Sequence, residues 1–432
     1  MKVLYMTFGC KVNQYETENI ISLMSARGHT RTNDLKEAEI AVINTCTVTS
    51  SADSKCRQFI RRVNKENPSC IICAAGCMTQ TAENDSFLPE CSVIVGSRNK
   101  TLLPRLIEQY ISSGERIFAV SEIDDRVMER MRNTSVIGKT RAYIKIQDGC
   151  EMYCSYCMIP FARGRICSKP LENIKEEAKA LILSGHKELI LTGINLCCYG
   201  RELNNGTRLI DAIEAVCLLD GDFRVRLSSV EPEMISDEDI ERMSKLSKLC
   251  PHFHLSLQSG CDKTLKAMKR RYDTSLYTEL VGKLRAAFDG CAITTDIMVG
   301  FPDETNEDHI KSLEYAKYIS FADAHIFPYS RRRGTAADKM KGQLDNGTKH
   351  KRAAEMNEVT SQTRRQFLST MVGKTVNVLF EHESSPEYHQ GHSDNYTLVK
   401  IKRLSPNISL MREMKKIRIT DSDSLCCYGE LV

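Results

Sequence analysis

The sequence predicts an α/β protein in three parts: an N-terminal open parallel α/β sheet domain, a central partial (β/α)6 barrel and a small C-terminal all-β barrel. Two stretches, one near the amino terminus and one in the middle, alternate strand patterns with amphipathic helix patterns, which is typical of parallel sheets. The final stretch carries only short alternating runs between turn residues, which is typical of a small β-barrel. A chain of 432 residues is long enough for two or three such domains.

The N-terminal domain is predicted to span residues 1–132. Its strand patterns cover 2–8, 39–44, 70–75 and 92–95, and its helix patterns cover 15–26, 51–64 and 102–112. Residues 124–139 are charged and lack apolar periodicity, so we expect them to link this domain to the next.

The central domain is predicted to span residues 136–368. Its six strand patterns lie at 142–147, 188–192, 223–228, 252–258, 293–299 and 324–328. Its helix patterns lie at 172–184, 208–219, 236–249, 275–288 and 306–319, and Gly185 ends the first of them. Six βα units in series, instead of eight, predict an incomplete barrel that is open on one side, with its chemistry at the carboxyl ends of the strands.

The C-terminal domain is predicted to span residues 371–432, after a basic helix at 347–371. Its strand runs lie at 374–381, 396–401, 408–412 and 416–419. Between Arg331 and Lys374 the chain has 11 Lys or Arg residues against 4 Asp or Glu residues. This local excess suits a polyanion such as RNA, and it equally suits a solvated helix face.

Cysteine content and hydropathy predict a cytoplasmic protein. The 19 cysteines are an odd number, and the chain opens on a strand pattern instead of a leader, so we expect reduced thiols. No apolar run approaches the ~18 residues of a membrane span, so no membrane association is expected.

Three cysteines, Cys150, Cys154 and Cys157, stand in a C-x-x-x-C-x-x-C spacing directly after the first barrel strand. Three such thiolates can hold three corners of an iron–sulfur cubane and leave the fourth iron open to a substrate. A structural zinc site would add a second cysteine or histidine pair nearby, and none follows here. The spacing therefore favours a cluster over zinc or over inert thiols.

Three further cysteines each follow a different strand of the N-terminal sheet, and they are Cys10, Cys46 and Cys77. Because a parallel sheet brings its strand ends to one edge, these three are expected to converge on a second site. Topology leaves the alternative open, since buried cysteine acting as a small apolar residue is common and Cys56, Cys70, Cys73 and Cys91 lie in the same domain.

Polar groups and glycines also follow the other barrel strands. Gly193 and Asn195 follow the second strand, Glu231 the third and Gln258 the fourth, so together they predict a pocket for a nucleoside-like cofactor. Each of them alone is equally a strand cap or a turn residue. Arg163, together with Arg165, follows the cysteine loop and is interpreted as an anion contact.

The cysteine loop also carries a family resemblance. With Tyr156 as the aromatic residue before Cys157, it resembles the signature of radical S-adenosylmethionine enzymes. The segments 9–16, 44–49 and 76–77 resemble the methylthiotransferase N-terminal domain, and residues 391–396, Gly-His-Ser-Asp-Asn-Tyr, resemble the RNA-binding TRAM domain. Within that family, the opening Cys-Lys-Val-Asn-Gln-Tyr-Glu is similar to the branch that acts on threonylcarbamoyladenosine in tRNA.

The resemblance implies two 4Fe-4S clusters, one on Cys150, Cys154 and Cys157 that binds S-adenosylmethionine, and one on the other three cysteines that delivers sulfur. It places Tyr156 among the cofactor contacts. It implies conversion of N6-threonylcarbamoyladenosine at position 37 of tRNA to its 2-methylthio derivative, by radical removal of the C2 hydrogen, because that bond is too strong for a general base. The implied partners are the tRNA anticodon stem-loop and an electron donor such as flavodoxin or ferredoxin.

Three other hypotheses stay open at this point. The same chemistry could act on isopentenyladenosine in tRNA or on a ribosomal-protein aspartate. A chain of a different class, a metal-stabilised RNA-binding protein without catalysis, would hold zinc in place of the clusters.

Overall fold

The computed structural model describes residues 1–82, 84, 86–123, 126–134, 139–381, 386–403, 405 and 408–432. Its N-terminal part is a six-stranded, fully parallel sheet in the order β2-β1-β3-β4-β5-β6. The strands are β1 Lys2–Thr7, β2 Thr30–Thr32, β3 Ile40–Thr45, β4 Ile71–Gly76, β5 Val93–Val95 and β6 Ile117–Ala119. The helices are α1 Lys11–Ser25, α2 Ser50–Glu66, α3 Cys77–Gln80 and α4 Leu103–Ser113.

The four predicted strands of this sheet are confirmed, and β2 and β6 were not predicted. Both unpredicted strands are edge strands of three residues, and their side chains are half-buried or exposed. Such short strands carry too little apolar alternation to be distinguished from loops in a sequence.

The predicted linker packs against the N-terminal domain in the part that the structure describes. Residues 126–134 contain no helix or strand, but Met131 and Asn133 are buried. The Tyr15 hydroxyl donates to the Met131 carbonyl oxygen at 2.8 Å. Residues 124–125 and 135–138 of the predicted linker lie outside the described residues. The predicted start of the central domain at residue 136 falls among them. The other predicted domain limits, at 132, 368 and 371, stay predictions.

The central part is a partial barrel of parallel strands in two halves, β11-β10-β7 and β12-β13-β14. Isolated parallel bridges, Val225 to Leu249 and Val230 to Leu255, connect the halves. The barrel strands are β7 Arg141–Lys145, β10 Glu188–Thr192, β11 Arg224–Leu227, β12 His252–His254, β13 Ala292–Val299 and β14 Asp323–Pro328. A separate antiparallel pair, β8 Gln147–Asp148 and β9 Cys167–Ser168, follows β7. All six predicted barrel strands are confirmed.

Seven helices of this part follow the strands or the loops between them. They are α5 Ile159–Arg163, α6 Leu171–Leu183, α7 Leu209–Cys217, α8 Asp237–Ser244, α9 Asp262–Ala267, α10 Thr274–Ala287 and α11 Asn306–Ile319. Their apolar faces pack on the strands in the largest buried hydrophobic cluster of the described chain. The predicted helix at 236–249 is shorter than expected, because α8 ends at Ser244 and the chain then turns into the next strand.

The C-terminal part consists of a long helix, α12 Asn346–Ser369, and a closed five-stranded barrel in the order β15-β16-β17-β19-β18. Its strands are β15 Thr375–Phe380, β16 Tyr388–Ser393, β17 Leu398–Lys402, β18 Met414–Ser422 and β19 Cys427–Leu431. The predicted strand at 408–412 is wrong, since those residues form a turn with Arg412 at φ +70° before β18 begins. In the described part of the chain, no helix is both long and apolar enough to cross a membrane.

Candidate active site at the mouth of the partial barrel

The loop that carries Cys150, Cys154 and Cys157 begins at the carboxyl end of β8, at the mouth of the barrel. Gly149 turns the chain at φ +73°, and a Cβ at this position would lie 1.9 Å from the Arg165 carbonyl oxygen. The close approach of these two backbone segments therefore requires glycine. It directs the loop back over the strand ends.

The three sulfurs of this loop lie in one electrostatic environment. The pKa of the Cys157 thiol is raised to about 12, mainly by burial, and the neighbouring sulfurs of Cys154 and Cys150 add to the rise. Burial raises the pKa of Cys150 to about 12 as well, with contributions from Cys198 and Cys154. Thiols of this kind stay protonated until a metal displaces the protons.

Arg270 contacts this loop and was not predicted from the sequence. Its guanidinium donates to the Cys154 sulfur at 3.3 Å and forms an ion pair with the Glu231 carboxylate. The charge of Glu231, a predicted cofactor contact, is therefore balanced by Arg270. The same arginine links Glu231 to the sulfur of Cys154. The signal in the sequence was the cationic run 269–271, which comes shortly after the fourth barrel strand.

The second predicted cofactor loop meets the cysteine loop directly. The Asn195 side-chain amide lies 3.9 Å from the Cys150 sulfur, and its backbone N–H donates to the Gln147 side chain at 2.8 Å. The Asn195 side-chain oxygen is buried without a hydrogen-bond partner among the described residues. A buried orphan acceptor at this place is what a donor group on a bound cofactor would satisfy.

The remaining predicted cofactor contacts lie around the same mouth. A Cβ at Gly193 would lie 2.8 Å from the Gln147 side chain, so a glycine is required for this close packing. Gln258 has φ +66° at the end of the fourth strand. The Tyr156 ring packs edge-on against Phe301 at 6.5 Å, with its hydroxyl side toward Arg270 and the neighbouring cysteines.

The other three cysteines meet at the carboxyl edge of the N-terminal sheet. Cys10 caps the amino end of α1, Cys46 follows β3, and Cys77 is the first residue of α3. The pKa of the Cys46 thiol is raised to about 12, chiefly by burial, and the nearby sulfurs of Cys77 and Cys10 add to it. Gly76, at φ +126°, permits the convergence, because a Cβ there would lie 2.5 Å from the Thr45 carbonyl oxygen.

Arg163 connects the two cysteine trios. It ends α5, the helix that follows the Cys150–Cys157 loop, and its Nε donates to the Cys77 sulfur at 3.1 Å. It is fully buried and it also donates to the Asn13 side chain at 2.5 Å. The sequence indicated that Arg163 could face a phosphate or a carboxylate, and the structure places it against the carboxylate of Glu16, a group of the protein itself.

Glu16 is the centre of a buried ionic network between the two domains. Its carboxylate is fully buried and accepts from three cations, namely Lys100, Lys145 at 2.7 Å and Arg163 at 2.5 Å. Burial alone would raise the pKa of Glu16, but the three cations outweigh it and hold the pKa well below its usual value. Lys145 also pairs with Asp148 at 2.6 Å, directly before the cysteine loop. A lysine inside an otherwise buried strand was the signal for this network in the sequence.

The structure brings one other set of potential metal ligands together. Among the described residues, ligand atoms of His254, Asp296 and His325 all lie within 4.8 Å of one another. Neither cysteine trio forms so compact a group, whereas a tetrahedral zinc with Zn–S bonds of about 2.3 Å would hold its sulfurs roughly 3.8 Å apart.

Comparisons with known proteins bear on these sites. Residues 2–96 match the profile described as "Uncharacterized protein family UPF0004", and residues 144–316 match that of the "Radical SAM superfamily". Among solved structures, a radical S-adenosylmethionine methyltransferase from Kitasatospora setae with cobalamin and a 4Fe-4S cluster bound is similar to 78% of this chain and 73% of its own, with a TM-score of 0.57 at 14% identity. That likeness concerns the fold alone.

Curated relatives match nearly the whole chain. A threonylcarbamoyladenosine tRNA methylthiotransferase from Bacillus subtilis is 34% identical over 96% of this chain and 94% of the relative, and one from Thermotoga maritima is 33% identical over 99% and 96%. A tRNA-2-methylthio-N(6)-dimethylallyladenosine synthase from Finegoldia magna is 32% identical over 99% of this chain and 94% of the relative. The relatives thus share a reaction and differ in the adenosine that they modify.

Proposed function

The chain belongs to the tRNA methylthiotransferases of the radical S-adenosylmethionine superfamily, and we propose that its substrate is N6-threonylcarbamoyladenosine beside the anticodon. Such an enzyme uses S-adenosylmethionine and a 4Fe-4S cluster. We further propose that Cys10, Cys46 and Cys77 hold a second cluster and that the residues at the mouth bind the cofactor.

The contact that carries the proposal is the 3.1 Å hydrogen bond from Arg163 to the Cys77 sulfur. Arg163 ends the helix that directly follows the Cys150–Cys157 loop, so the segment after the first trio contacts a sulfur of the second. Neighbouring cluster sites are what a reaction needs when hydrogen removal and sulfur insertion take place at the same carbon atom.

The residues at the mouth fit S-adenosylmethionine and its cluster. Cys150, Cys154 and Cys157 would hold the cluster, which when bound supplies the electron that cleaves the sulfonium bond. The orphan acceptor of Asn195 and the arginine-paired Glu231 would orient the amino-acid and ribose groups of the cofactor. The backbone at Gly193 and Gln258 would pack against S-adenosylmethionine. The ring of Tyr156 would exclude water from the space beside the cysteines.

The other trio would hold the second cluster and place sulfur near the adenosine. The guanidinium of Arg163 lies on a sulfur of this trio and balances the negative charge of thiolate ligands in a buried site. A one-electron donor such as flavodoxin or ferredoxin would serve the enzyme from outside. The C-terminal barrel and α12 would hold the anticodon stem-loop through phosphate contacts.

The basic segment before the C-terminal barrel serves two purposes. Arg352 is buried against Glu304 at 2.7 Å, and Arg332 pairs with Asp53 of the N-terminal domain at 2.8 Å, so these cations stabilise the fold. Lys351 is exposed and forms a long i,i+4 pair with Glu355 at 3.9 Å, so it can exchange this partner for a phosphate of the RNA backbone. The number of Lys and Arg residues between Arg331 and Lys374 is therefore larger than the number that can contact RNA.

The nucleoside profile of tRNA tests the proposed substrate. In a strain that lacks this protein, mass spectrometry should show threonylcarbamoyladenosine without its 2-methylthio form, and expression of the chain should restore that form. An unchanged threonylcarbamoyl profile together with lost 2-methylthio-isopentenyladenosine would identify the other tRNA substrate. A profile without any change, with a methylthiolated ribosomal-protein aspartate lost instead, would overturn the proposal for tRNA.

Metal analysis separates the enzyme from the non-catalytic alternative. Protein purified without oxygen should be brown and should contain iron and sulfide in the amounts that two clusters require. A colourless protein with stoichiometric zinc would contradict the proposed clusters.

A further inference from the structure

A cavity of about 520 Å³ lies between the second half of the central barrel and the C-terminal barrel. Lys11 of α1 and the barrel residues His254, Thr294 and His325 give it polar groups, and α12 and the C-terminal barrel add apolar side chains, among them Phe367, Leu368 and Leu398. The cavity is therefore suited to a ligand that has both an apolar portion and a polar or charged one.

The floor of the cavity is an aromatic stack. The Tyr396 ring stacks between the imidazoles of His252 and His392, with ring centres 5.0 Å and 4.6 Å apart. The guanidinium groups of Arg226 and Arg141 lie 4.8 Å and 5.1 Å from the centre of the same ring. The floor thus combines stacked rings with two guanidinium groups, both of which also pair with the buried carboxylate of Glu188.

Lys11 is the cation of this cavity that has no anionic partner at contact distance. It is half-buried, and its ammonium group makes no hydrogen bond or ion pair with any residue that the structure describes. A half-buried ammonium group without a contacting anion is poorly solvated, so an anion that entered the cavity would stabilise it.

The acidic groups near the cavity are already engaged. Asp296 accepts from His254 at 3.3 Å and from His325 at 3.1 Å, and Asp323 pairs with Arg364 at 3.3 Å. Because these carboxylates have partners of their own, they leave the ammonium group of Lys11 available to a ligand.

The cavity reaches the second cysteine trio through Lys11, which directly follows Cys10. Its lining includes Ala292 and Thr294 from the amino-terminal half of β13, so the cavity lies below the strand ends that form the mouth. A substituent that projects from an adenine ring held beside this trio can extend toward the ammonium group of Lys11.

We propose that the cavity receives the N6 substituent of the target adenosine and that Lys11 pairs with a carboxylate on it. This inference rests on the proposed function and deepens it, since it names the group that distinguishes an acidic amino-acid substituent from an aliphatic one. An isopentenyl group would fill the apolar side and leave the lysine buried beside other cations without an anion.

The test compares binding of two RNA probes to the reconstituted enzyme. Both probes are anticodon stem-loops, one carrying threonylcarbamoyladenosine and the other its carboxyl methyl ester, and affinity is measured by fluorescence anisotropy without oxygen. The wild-type enzyme should bind the acid about tenfold or more tightly than the ester, as expected for loss of a partly buried ion pair. Lys11→Met should weaken binding of the acid and bring the ratio of the two affinities close to one.

Two further variants keep the result interpretable. Lys11→Arg retains the positive charge and should restore the preference for the acid, while Lys245→Met, on the exposed face of the segment after α8, should leave both affinities unchanged. Iron and sulfide content of each variant shows whether the neighbouring Cys10 site is intact. A wild-type ratio near one, or an undiminished ratio in Lys11→Met, would overturn the inference.

Turnover by the wild-type enzyme separates this inference from the proposed function. If the wild-type enzyme methylthiolates the threonylcarbamoyl probe and Lys11→Met keeps the full ratio of acid to ester affinity, only the role of Lys11 is contradicted. If the wild-type enzyme instead converts an isopentenyladenosine probe, both the proposed substrate and this inference are contradicted.

Discussion

The two cysteine trios differ in how the fold brings their sulfurs together: one trio is local in the sequence and the other is assembled from distant segments. Cys150, Cys154 and Cys157 lie on one loop, where local spacing and the turn at Gly149 bring them together. Cys10, Cys46 and Cys77 come from three strand ends that only the parallel sheet makes neighbours. A local site can be recognised from a spacing, whereas a convergent site depends on the integrity of an entire sheet edge.

Removal of one sulfur from each trio has the largest expected effect and separates the two roles. We expect Cys154→Ala to abolish cleavage of S-adenosylmethionine, because the loop then holds a cluster by two ligands. Cys46→Ala should leave cleavage intact and stop thiolation. Chromatography of 5′-deoxyadenosine and of modified nucleosides measures both activities.

The matched control for these variants is Cys291→Ala, since this cysteine is buried in the barrel core outside both trios. It should retain both activities. Product formation by Cys46→Ala without added sulfide would refute sulfur delivery from the N-terminal trio.

Loss of the central carboxylate should damage both sites at once. Glu16→Gln leaves Lys145 and Arg163 with Asp148 as their carboxylate and leaves Lys100 with none, and removal of one partner from such a network typically costs about 3–5 kcal/mol. Chemical denaturation should show this loss of unfolding free energy, and iron content should fall at both trios.

The control for this variant is Glu241→Gln, which removes an exposed i,i+4 pair with Lys245. It should change stability by less than about 0.5 kcal/mol. Equal effects of the two substitutions would show that the buried network does not hold the sites together.

Two glycine substitutions should each damage one trio and spare the other. Gly76→Ala forces a Cβ against the Thr45 carbonyl beside Cys77, and Gly149→Ala forces one against the Arg165 carbonyl beside Cys150. Each adds strain of roughly 1–3 kcal/mol. The first should lower thiolation more than cofactor cleavage, and the second should lower cleavage.

Gly28→Ala serves as the control, because Gly28 also has a positive φ but its Cβ would meet no atom within 4 Å. Its effect on either activity should be small. If Gly76→Ala and Gly149→Ala affected cleavage alike, the two trios would not be separable in the way that their construction suggests.

The smallest expected effect concerns Arg270, which links the barrel trio to Glu231. Arg270→Lys keeps a cation but loses the fork of the guanidinium, which donates to Cys154, Glu231 and Tyr272, so these contacts cannot all be kept. Affinity for S-adenosylmethionine should fall by about 1 kcal/mol, roughly fivefold, in equilibrium dialysis. The control is Arg285→Lys, because the guanidinium of Arg285 contacts backbone carbonyls at the end of α11. An unchanged affinity for S-adenosylmethionine in Arg270→Lys would show that the pairing of Arg270 with Glu231 does not contribute to cofactor binding.

Most strands of the parallel sheets were predictable because they are short runs rich in buried apolar residues between turn signals, as in β3 and β4, and β10 and α11 agree with the prediction to the residue. The edge strands β2 and β6 and the strands β16 and β19 were missed, since they are short or polar. Their pairing comes from neighbours far away in the chain, and a local pattern carries no information about those neighbours.

The sequence by itself determined the fold class, the three parts of the chain and the local cysteine loop, because apolar periodicity and short spacings are properties of adjacent residues. Only the tertiary structure decided that Arg163 lies on Cys77, that Glu16 holds three cations and that Lys11 faces a cavity without an anionic partner. Burial and charge pairing depend on what the rest of the chain brings to a side chain, so no residue type or spacing reveals them in advance.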